Sequence, residues 1–445
     1  MHALLLQFAD PCRGDPSPVF SQSLGVVAAL ARRAGLSCGL LTLPGFREER
    51  IAAAIREAPP DAVLVELDPL QVAAGRRTIA AIAERTDAPI AVAGRFATAK
   101  PSRAVSFPGV RSLILGEYDR AAVRWLEAQR DGRDAVDIAG VWTYTDGGLV
   151  KSGPAPLPAD VDGLPSAERE LFGYGDAVKA TRELCVKACR GCPLWCAYCI
   201  NDWYMDLYAE DPAAFVRRRS VGNVLGEIEA LTRAYPDAAC VTFYDHAFAM
   251  DPAWLAEFCA EYPRACKLPF RCHVRLEKVT PEVARMLADG RCRWVHTHIG
   301  SGSRFIREEI LSMHLSDADV VEAIRQLRAA GLRVAAEVFV GAPYESEITV
   351  EETLGLLREA RVDEVHPRVY CPTPGTRAAE LCRENGWLSG RTESDAFRGR
   401  SLLDMPSMTA QQISAVVEKF PWLLKRRRAE ALRKLLGRSA RTRSG

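Results

Sequence analysis

Short apolar runs alternate with longer amphipathic stretches along most of the chain. Residues 3–8 form a continuous apolar run that reads as a buried strand, and 23–35 read as a helix closed by a glycine. Strands over 37–43, 61–67, 88–93 and 110–115 then alternate with helices over 48–58, 73–85 and 120–128. Alternation at these lengths predicts a parallel sheet with helices on both faces, a Rossmann-like domain over 1–130. Ligands of such sheets bind at the carboxyl ends of the strands. Here those ends are 9–17, which overlaps the loop 10–18, and 67–70, 94–98 and 116–118.

Residues 131–180 read as a connector. In it, 138–142 and 148–150 could pair as a hairpin around Asp146-Gly-Gly, and the Pro-rich stretch 153–165 reads as a linker. The alternation resumes with strands near 183–187, 239–244, 268–275, 293–299, 333–340 and 364–370. Helices over 221–234, 252–262, 281–289, 317–330 and 349–360 separate them. Six such units over 181–390 predict a partial (β/α)6 barrel with its active site at the carboxyl ends of the strands. Residues 391–445 read as a helical, basic tail. Its cations Lys425 to Arg428, Arg433, Lys434, Arg438, Arg441 and Arg443 stand against Glu430, and no aromatic residue follows Trp422 to stack on bases.

A length of 445 residues fits two or three domains, and 48% hydrophobic with 26% charged residues fits an ordinary globular protein. A net charge of +1 gives no reason to expect nucleic acid or a membrane as partner. There is no apolar run long enough to span a bilayer, and the first residues make no signal peptide, so the expected location is the cytoplasm. Five of the 14 cysteines fall within 185–199 and the others are scattered through apolar segments. That is a metal site with buried thiols, not a secreted disulfide framework.

The metal site is Arg190-Gly-Cys192-Pro-Leu-Trp-Cys196-Ala-Tyr-Cys199. A short loop of this kind can wrap three thiolates around one face of a four-iron cube, leaving one iron open to a ligand. Cys185, Cys189 and Cys192 have the same spacing, so two registers share Cys192. The second is preferred because Tyr198 precedes its last cysteine where Gly191 precedes the other. Cys185 and Cys189 then stand outside the ligand set. A structural zinc site built from four of the five cysteines is the alternative.

The cysteine motif resembles the radical S-adenosylmethionine (SAM) enzymes, and the Arg-Gly-Cys-Pro opening looks most like the branch with an N-terminal cobalamin-binding domain. Further motifs follow in order. Phe243-Tyr244-Asp245-His-Ala-Phe248 resembles the family's Phe-x-Asp-x-x-Phe, which implies that Tyr244 and Asp245 help seat SAM. Arg275, ending the third barrel strand, could pair with the SAM carboxylate. Ile299-Gly300-Ser301-Gly302-Ser303 stands where the family has Glu-Ser-Gly-Ser, which implies ribose contacts from Ser301 and Ser303. Residues 310–314 lack the arginine that many members pair with SAM. Gly341-Ala-Pro343-Tyr-Glu345 is close to Gly-x-Pro-x-Glu; Gly341 would let backbone approach the adenine and Pro343 would fix the turn. Tyr370-Cys-Pro-Thr-Pro-Gly-Thr376 resembles the sixth-strand motif. His296-Thr-His298 puts two imidazoles on one strand face, expected as interior polar packing and not as a metal pair.

The first domain resembles the branch's cobalamin-binding domain through Pro60-Asp61, Gly94-Arg-Phe-Ala-Thr98 and Leu115-Gly116-Glu117-Tyr118. The resemblance implies a cobalamin site lined by Gly94, Thr98, Gly116 and Glu117. It departs in one respect: His2 is the only histidine before His246, so no imidazole from this domain is expected on cobalt. The resemblance thus implies an enzyme with a 4Fe–4S cluster, SAM and cobalamin, methylating an unactivated carbon. Other radical C–C or cyclisation chemistry is the alternative within the family, and a non-catalytic zinc or iron–sulfur protein the alternative outside it. A small-molecule or peptide substrate and an electron donor such as flavodoxin or ferredoxin are the implied partners.

Overall fold

The computed structural model describes residues 1–9, 20–208, 215–246, 248–391, 395, 399–425, 432 and 435–437. The loop 10–18 and nearly all of the basic tail beyond Lys425 lie outside the described residues. The chain forms two compact units, Met1–Thr181 with Trp203–Ala214, and Arg182–Asp202 with Phe215–Gly445.

In the first unit β1 (His2–Phe8), β2 (Ser37–Leu43), β3 (Ala62–Glu66), β4 (Ile90–Ala93) and β5 (Val110–Ile114) are parallel, in the order β2-β1-β3-β4-β5. Alternate side chains go to opposite faces. Leu4, Leu6, Val63 and Val65 enter one apolar core, while Ala3, Leu5, Ala62 and Leu64 enter the other. Helix α1 (Gln22–Arg33) buries Leu24, Val27, Ala28 and Ala31, and starts where the Ser21 hydroxyl accepts from Leu24 N–H at 3.2 Å. Helices α2 (Glu48–Glu57), α3 (Val72–Ala83) and α4 (Asp119–Arg130) complete the layers. The expected hairpin exists as β6 (Val141–Thr145) and β7 (Gly148–Val150). It is no linker element, because β6 pairs antiparallel with β5 and extends the sheet to seven strands.

In the second unit six parallel strands run in chain order: β8 (Glu183–Val186), β9 (Cys240–Phe243), β10 (Phe270–His273), β11 (Cys292–Gly300), β12 (Arg333–Val340) and β13 (Glu364–Val369). The two edges, β8 and β13, do not pair, so this is the expected partial barrel. Helix α5 (Asn201–Tyr208) follows the cysteine loop and was not expected; from Trp203 on it belongs to the first unit. The outer helices are α6 (Val221–Ala234), α7 (Pro252–Ala265), α8 (Pro281–Asp289), α9 (Asp317–Ala329) and α10 (Glu347–Ala360). They cover the strands' outward residues, such as Val295, Thr297 and Ile299. After α11 (Arg377–Glu384), an isolated bridge pairs Leu388 with Leu403. Helix α12 (Ala410–Lys425) then docks by Ile413, Val416, Phe420 and Leu423, and its last carbonyls, Leu423 and Leu424, accept from Arg358. No described helix is long and apolar enough to cross a membrane.

Candidate active site

The cysteine loop leaves the carboxyl end of β8 and is fixed at both ends. The buried Asp245 carboxylate accepts from Ala188 N–H (2.8 Å) and Cys189 N–H (2.7 Å). Gly191 has φ +85°, and a Cβ there would lie 2.3 Å from the Phe215 carbonyl oxygen, so only glycine fits. At the far end, the Asn201 amide donates to the carbonyls of Cys192 (2.6 Å) and Leu194 (3.2 Å), and its backbone N–H points at Cys199 Sγ (3.4 Å). Between them, Ala197 N–H donates to Leu311 O (2.9 Å) and Ala197 O accepts from Ala378 N–H (3.0 Å). Tyr198 turns inward onto His298 (5.4 Å between rings) and Phe339 (5.0 Å).

Burial raises the thiols of Cys192 and Cys196 and pushes Cys199 up to about 12; the Arg275 cation works against this at Cys192 and Cys196. The other two cysteines are differently placed. Cys185 lies on β8 with its sulfur 3.8 Å from the Tyr244 hydroxyl, and Cys189 is buried beside Asp245. Among the described residues no three His, Cys, Asp or Glu side chains are grouped as one metal ion requires.

Polar side chains fill the barrel interior. At its base Glu183 pairs with Arg271 (2.7 Å) and accepts from the Thr242 hydroxyl (2.9 Å). Above them imidazoles follow one another: His246 to His273 (5.3 Å), His273 to His296 (5.3 Å) and His296 to His366 (6.2 Å). Burial, helped by neighbouring imidazoles, lowers His273 to about 3, and burial with the Arg271 charge lowers His296 to about 4. They are therefore neutral at physiological pH. The Nε2 atoms of His296 and His298 are buried and unpartnered.

The residues expected to meet SAM are spread over the strand ends. Arg275 is 11% exposed, bonds Glu277 at 2.6 Å, and keeps a buried Nε without a partner. Tyr244 faces Cys185, and both Asp245 oxygens are taken by the loop's amides. Ser301 and Ser303 are almost fully buried; the Ser301 hydroxyl accepts from Ser303 N–H (3.1 Å), and Thr353 lies at 3.4 Å. The Ser301 hydroxyl therefore braces the turn from inside. Gly341 has φ +84°, and its Cβ direction is filled by Ile413 at 2.6 Å, not left open toward a ligand; its N–H donates to Glu345. Pro343 is buried in the same turn. Arg307, fully buried, was not singled out from sequence; it donates to Leu315 O (2.7 Å) and Ser301 O (2.8 Å) and pairs with Asp317, holding the 301–317 segment.

In the first unit Gly94, Thr98 and Gly116 come together at the strand ends. The Thr98 hydroxyl donates to Gly94 O (3.0 Å) and accepts from Gly116 N–H (3.0 Å). Glu117 N–H donates to the Tyr208 hydroxyl (3.0 Å), and Tyr204 lies beside the Thr98 side chain. Both tyrosines were missed; their spacing of four along a helix was the available signal. His2 lies at the opposite, amino end of β1, with Nδ1 3.2 Å from the Ser37 hydroxyl.

Residues 186–357 match the radical SAM superfamily. An uncharacterised methyltransferase of Pyrococcus horikoshii is 23% identical over 70% of this chain and 66% of its own length. The radical SAM methyltransferase TsrM of Kitasatospora setae, solved with cobalamin and a [4Fe-4S] cluster, superposes with TM-score 0.68 at 18% identity, over 88% of this chain and 76% of that one. It has also been solved with its tryptophan substrate and a SAM analogue. The cobalamin-dependent enzyme OxsB, with aqua-cobalamin and SAM, gives TM-score 0.65 at 14% identity over 95% of this chain and 56% of that one. This chain thus spans just under two thirds of the curated relative and little more than half of OxsB. It carries a radical SAM domain, and its fold is that of the cobalamin-dependent radical SAM enzymes.

Proposed function

We propose that this protein is a cobalamin-dependent radical SAM enzyme that methylates an unactivated carbon of a small molecule or peptide. The observation that carries this is the three-cysteine loop, clamped by Asp245 and Asn201 where it leaves the carboxyl end of β8. Its donor set suits a cluster. Cys192, Cys196 and Cys199 would hold the irons, with an N–H already directed at Cys199 Sγ. Because burial keeps these thiols protonated, iron loading must release their protons.

Arg275, with its unpartnered buried Nε, suits the SAM carboxylate, and Tyr244 lies on the neighbouring strand end. Asp245, Ser301 and Ser303 would act by shaping the backbone around SAM, and the Gly341–Pro343 turn by facing the adenine. The strand ends at Gly94, Thr98, Gly116 and Glu117 would hold cobalamin, with no imidazole from this unit on cobalt. When bound, the cluster with SAM supplies hydrogen-atom abstraction and cobalamin supplies methyl transfer. The neutral imidazoles His273 and His296 would line the substrate's side of the barrel and accept its N–H or O–H groups without presenting charge. An electron donor such as flavodoxin or ferredoxin would reduce the cluster.

Anaerobic reconstitution tests the proposal. The expected product shows a 4Fe–4S absorption shoulder, cleaves SAM to 5′-deoxyadenosine and retains cobalamin through desalting. Colourless protein with stoichiometric zinc and no SAM cleavage would overturn it.

A further inference from the structure

Helix α5 carries two phenols, Tyr204 and Tyr208, one helical turn apart and therefore on one face. Both reach the strand ends of the first unit. The Tyr208 hydroxyl accepts from Glu117 N–H at 3.0 Å, and a Cβ on Gly116 would lie 1.7 Å from that same oxygen. Tyr204 lies beside the Thr98 side chain, with the Arg95 charge and Tyr208 in electrostatic reach. The Thr98 hydroxyl has one proton, already given to Gly94 O, and it also accepts from Gly116 N–H.

We propose that Tyr204 and Tyr208 are cobalamin-binding residues: their rings wall the crevice over the ends of β4 and β5, and their oxygens meet the carboxamide rim of the corrin. The chemistry matches. A corrin is a broad apolar ring edged with primary amides, and a tyrosine offers an apolar face with a polar tip. Burial raises the Tyr204 pKa, so its oxygen stays a neutral phenol over the working pH range. Gly116 is glycine for a matching reason: it has φ +68°, and any side chain there would displace the Tyr208 phenol.

This rests on the cobalamin assignment proposed above, and the experiment separates the two. Wild-type protein and the variants Tyr204→Phe, Tyr208→Phe and Tyr204→Phe/Tyr208→Phe are reconstituted anaerobically with hydroxocobalamin. Bound cobalamin is measured by titration of its visible absorbance and, after reduction, by electron paramagnetic resonance. Removing both hydroxyls is expected to weaken cobalamin binding about tenfold or more, at unchanged iron content and melting temperature. Gly116→Ala is expected to weaken binding through the same phenol, so its effect and that of Tyr208→Ala should not add in the double variant. Wild-type protein that retains no cobalamin overturns the parent assignment. Wild-type retention with the double Phe variant within twofold of it overturns this one, as does tighter binding by Tyr208→Ala, which would make the phenol a plug.

Discussion

The two units put their polar residues in different places. The first sheet has a helix layer and an apolar core on each face, so most of its strand side chains are claimed by packing. Its functional groups are confined to the strand ends, at Gly94, Thr98, Gly116 and Glu117. The second sheet curls, and only its outer face is covered by helices. Its inner face carries Glu183, Cys185, Thr242, Tyr244, Arg271, His273, His296 and His366 along the strands themselves. A flat, double-covered sheet can bind only at its rim; a curled one has an inside that can be lined.

The sharpest way to break this contrast is to remove the cysteines. Alanine at Cys192, Cys196 or Cys199 is expected to abolish both iron loading and SAM cleavage, while Cys185→Ala, whose sulfur faces Tyr244, should keep the cluster. Iron analysis and 5′-deoxyadenosine assays decide, and a cluster lost with Cys185 but kept without Cys199 would reverse the register.

Next in size is the loop's clasp. Asp245→Asn leaves one acceptor where two backbone N–H groups need it, and is expected to cost about 3 kcal/mol in denaturant unfolding. Iron content should fall with it; a variant that loads iron normally would show that the clasp does not position the loop.

Gly341→Val drives a side chain into Ile413, at a positive φ, so a loss of about 2–3 kcal/mol of stability is expected before any effect on SAM. Ile413→Ala in the same chain should relieve the clash. SAM affinity measured in that double variant then tests whether the turn faces the adenine.

The smallest effect sharpens the contrast through pH. His273 and His296 are held neutral in the fold, with pKa values of about 3 and 4 against an unfolded value near 6.5. The unfolded chain therefore binds more protons below pH 6.5. The stability is fully present above that pH and falls as pH drops toward 4. Glu66 in the first unit, raised by burial although the Tyr118 hydroxyl bonds it at 2.6 Å, has the opposite sign: it favours the fold at low pH and loses that contribution as pH rises through its folded value. Calorimetry between pH 7 and 5 should show the barrel's transition moving down, and His296→Gln should flatten the shift. An unchanged slope would mean these imidazoles are hydrated.

Much of the fold was legible because its signals are local. Buried parallel strands read as apolar runs, and the helices between them carry their own caps: Asp251 before Pro252 accepts from Ala253 and Trp254 N–H, as its position suggested. The cysteine loop was legible too, because thiols spaced for a cube have few other uses. The hairpin's fate was not, since an edge strand joins whichever sheet offers open N–H and C=O groups, and β5 did. The roles of single residues were less legible still. Ser301 looked like a ligand contact and is an internal brace; Gly341 looked like an approach to a base, and Ile413, 72 positions further along the chain, fills its Cβ direction.

The sequence by itself determined the alternation of strands and helices, the clustering of three thiols in one short loop, and the lack of any histidine in the first domain that could reach the strand ends. Only the tertiary structure decided that Cys185 faces Tyr244, that Asp245 clasps the loop, that Arg307 is buried, and that Tyr204 and Tyr208 reach Thr98 and Glu117. The physical reason is range. Apolar periodicity and ligand spacing are settled within a few residues, where the chain's geometry is fixed by its own backbone. Which hydroxyl or carboxylate meets which amide depends on closing loops of tens of residues, and no local pattern encodes that.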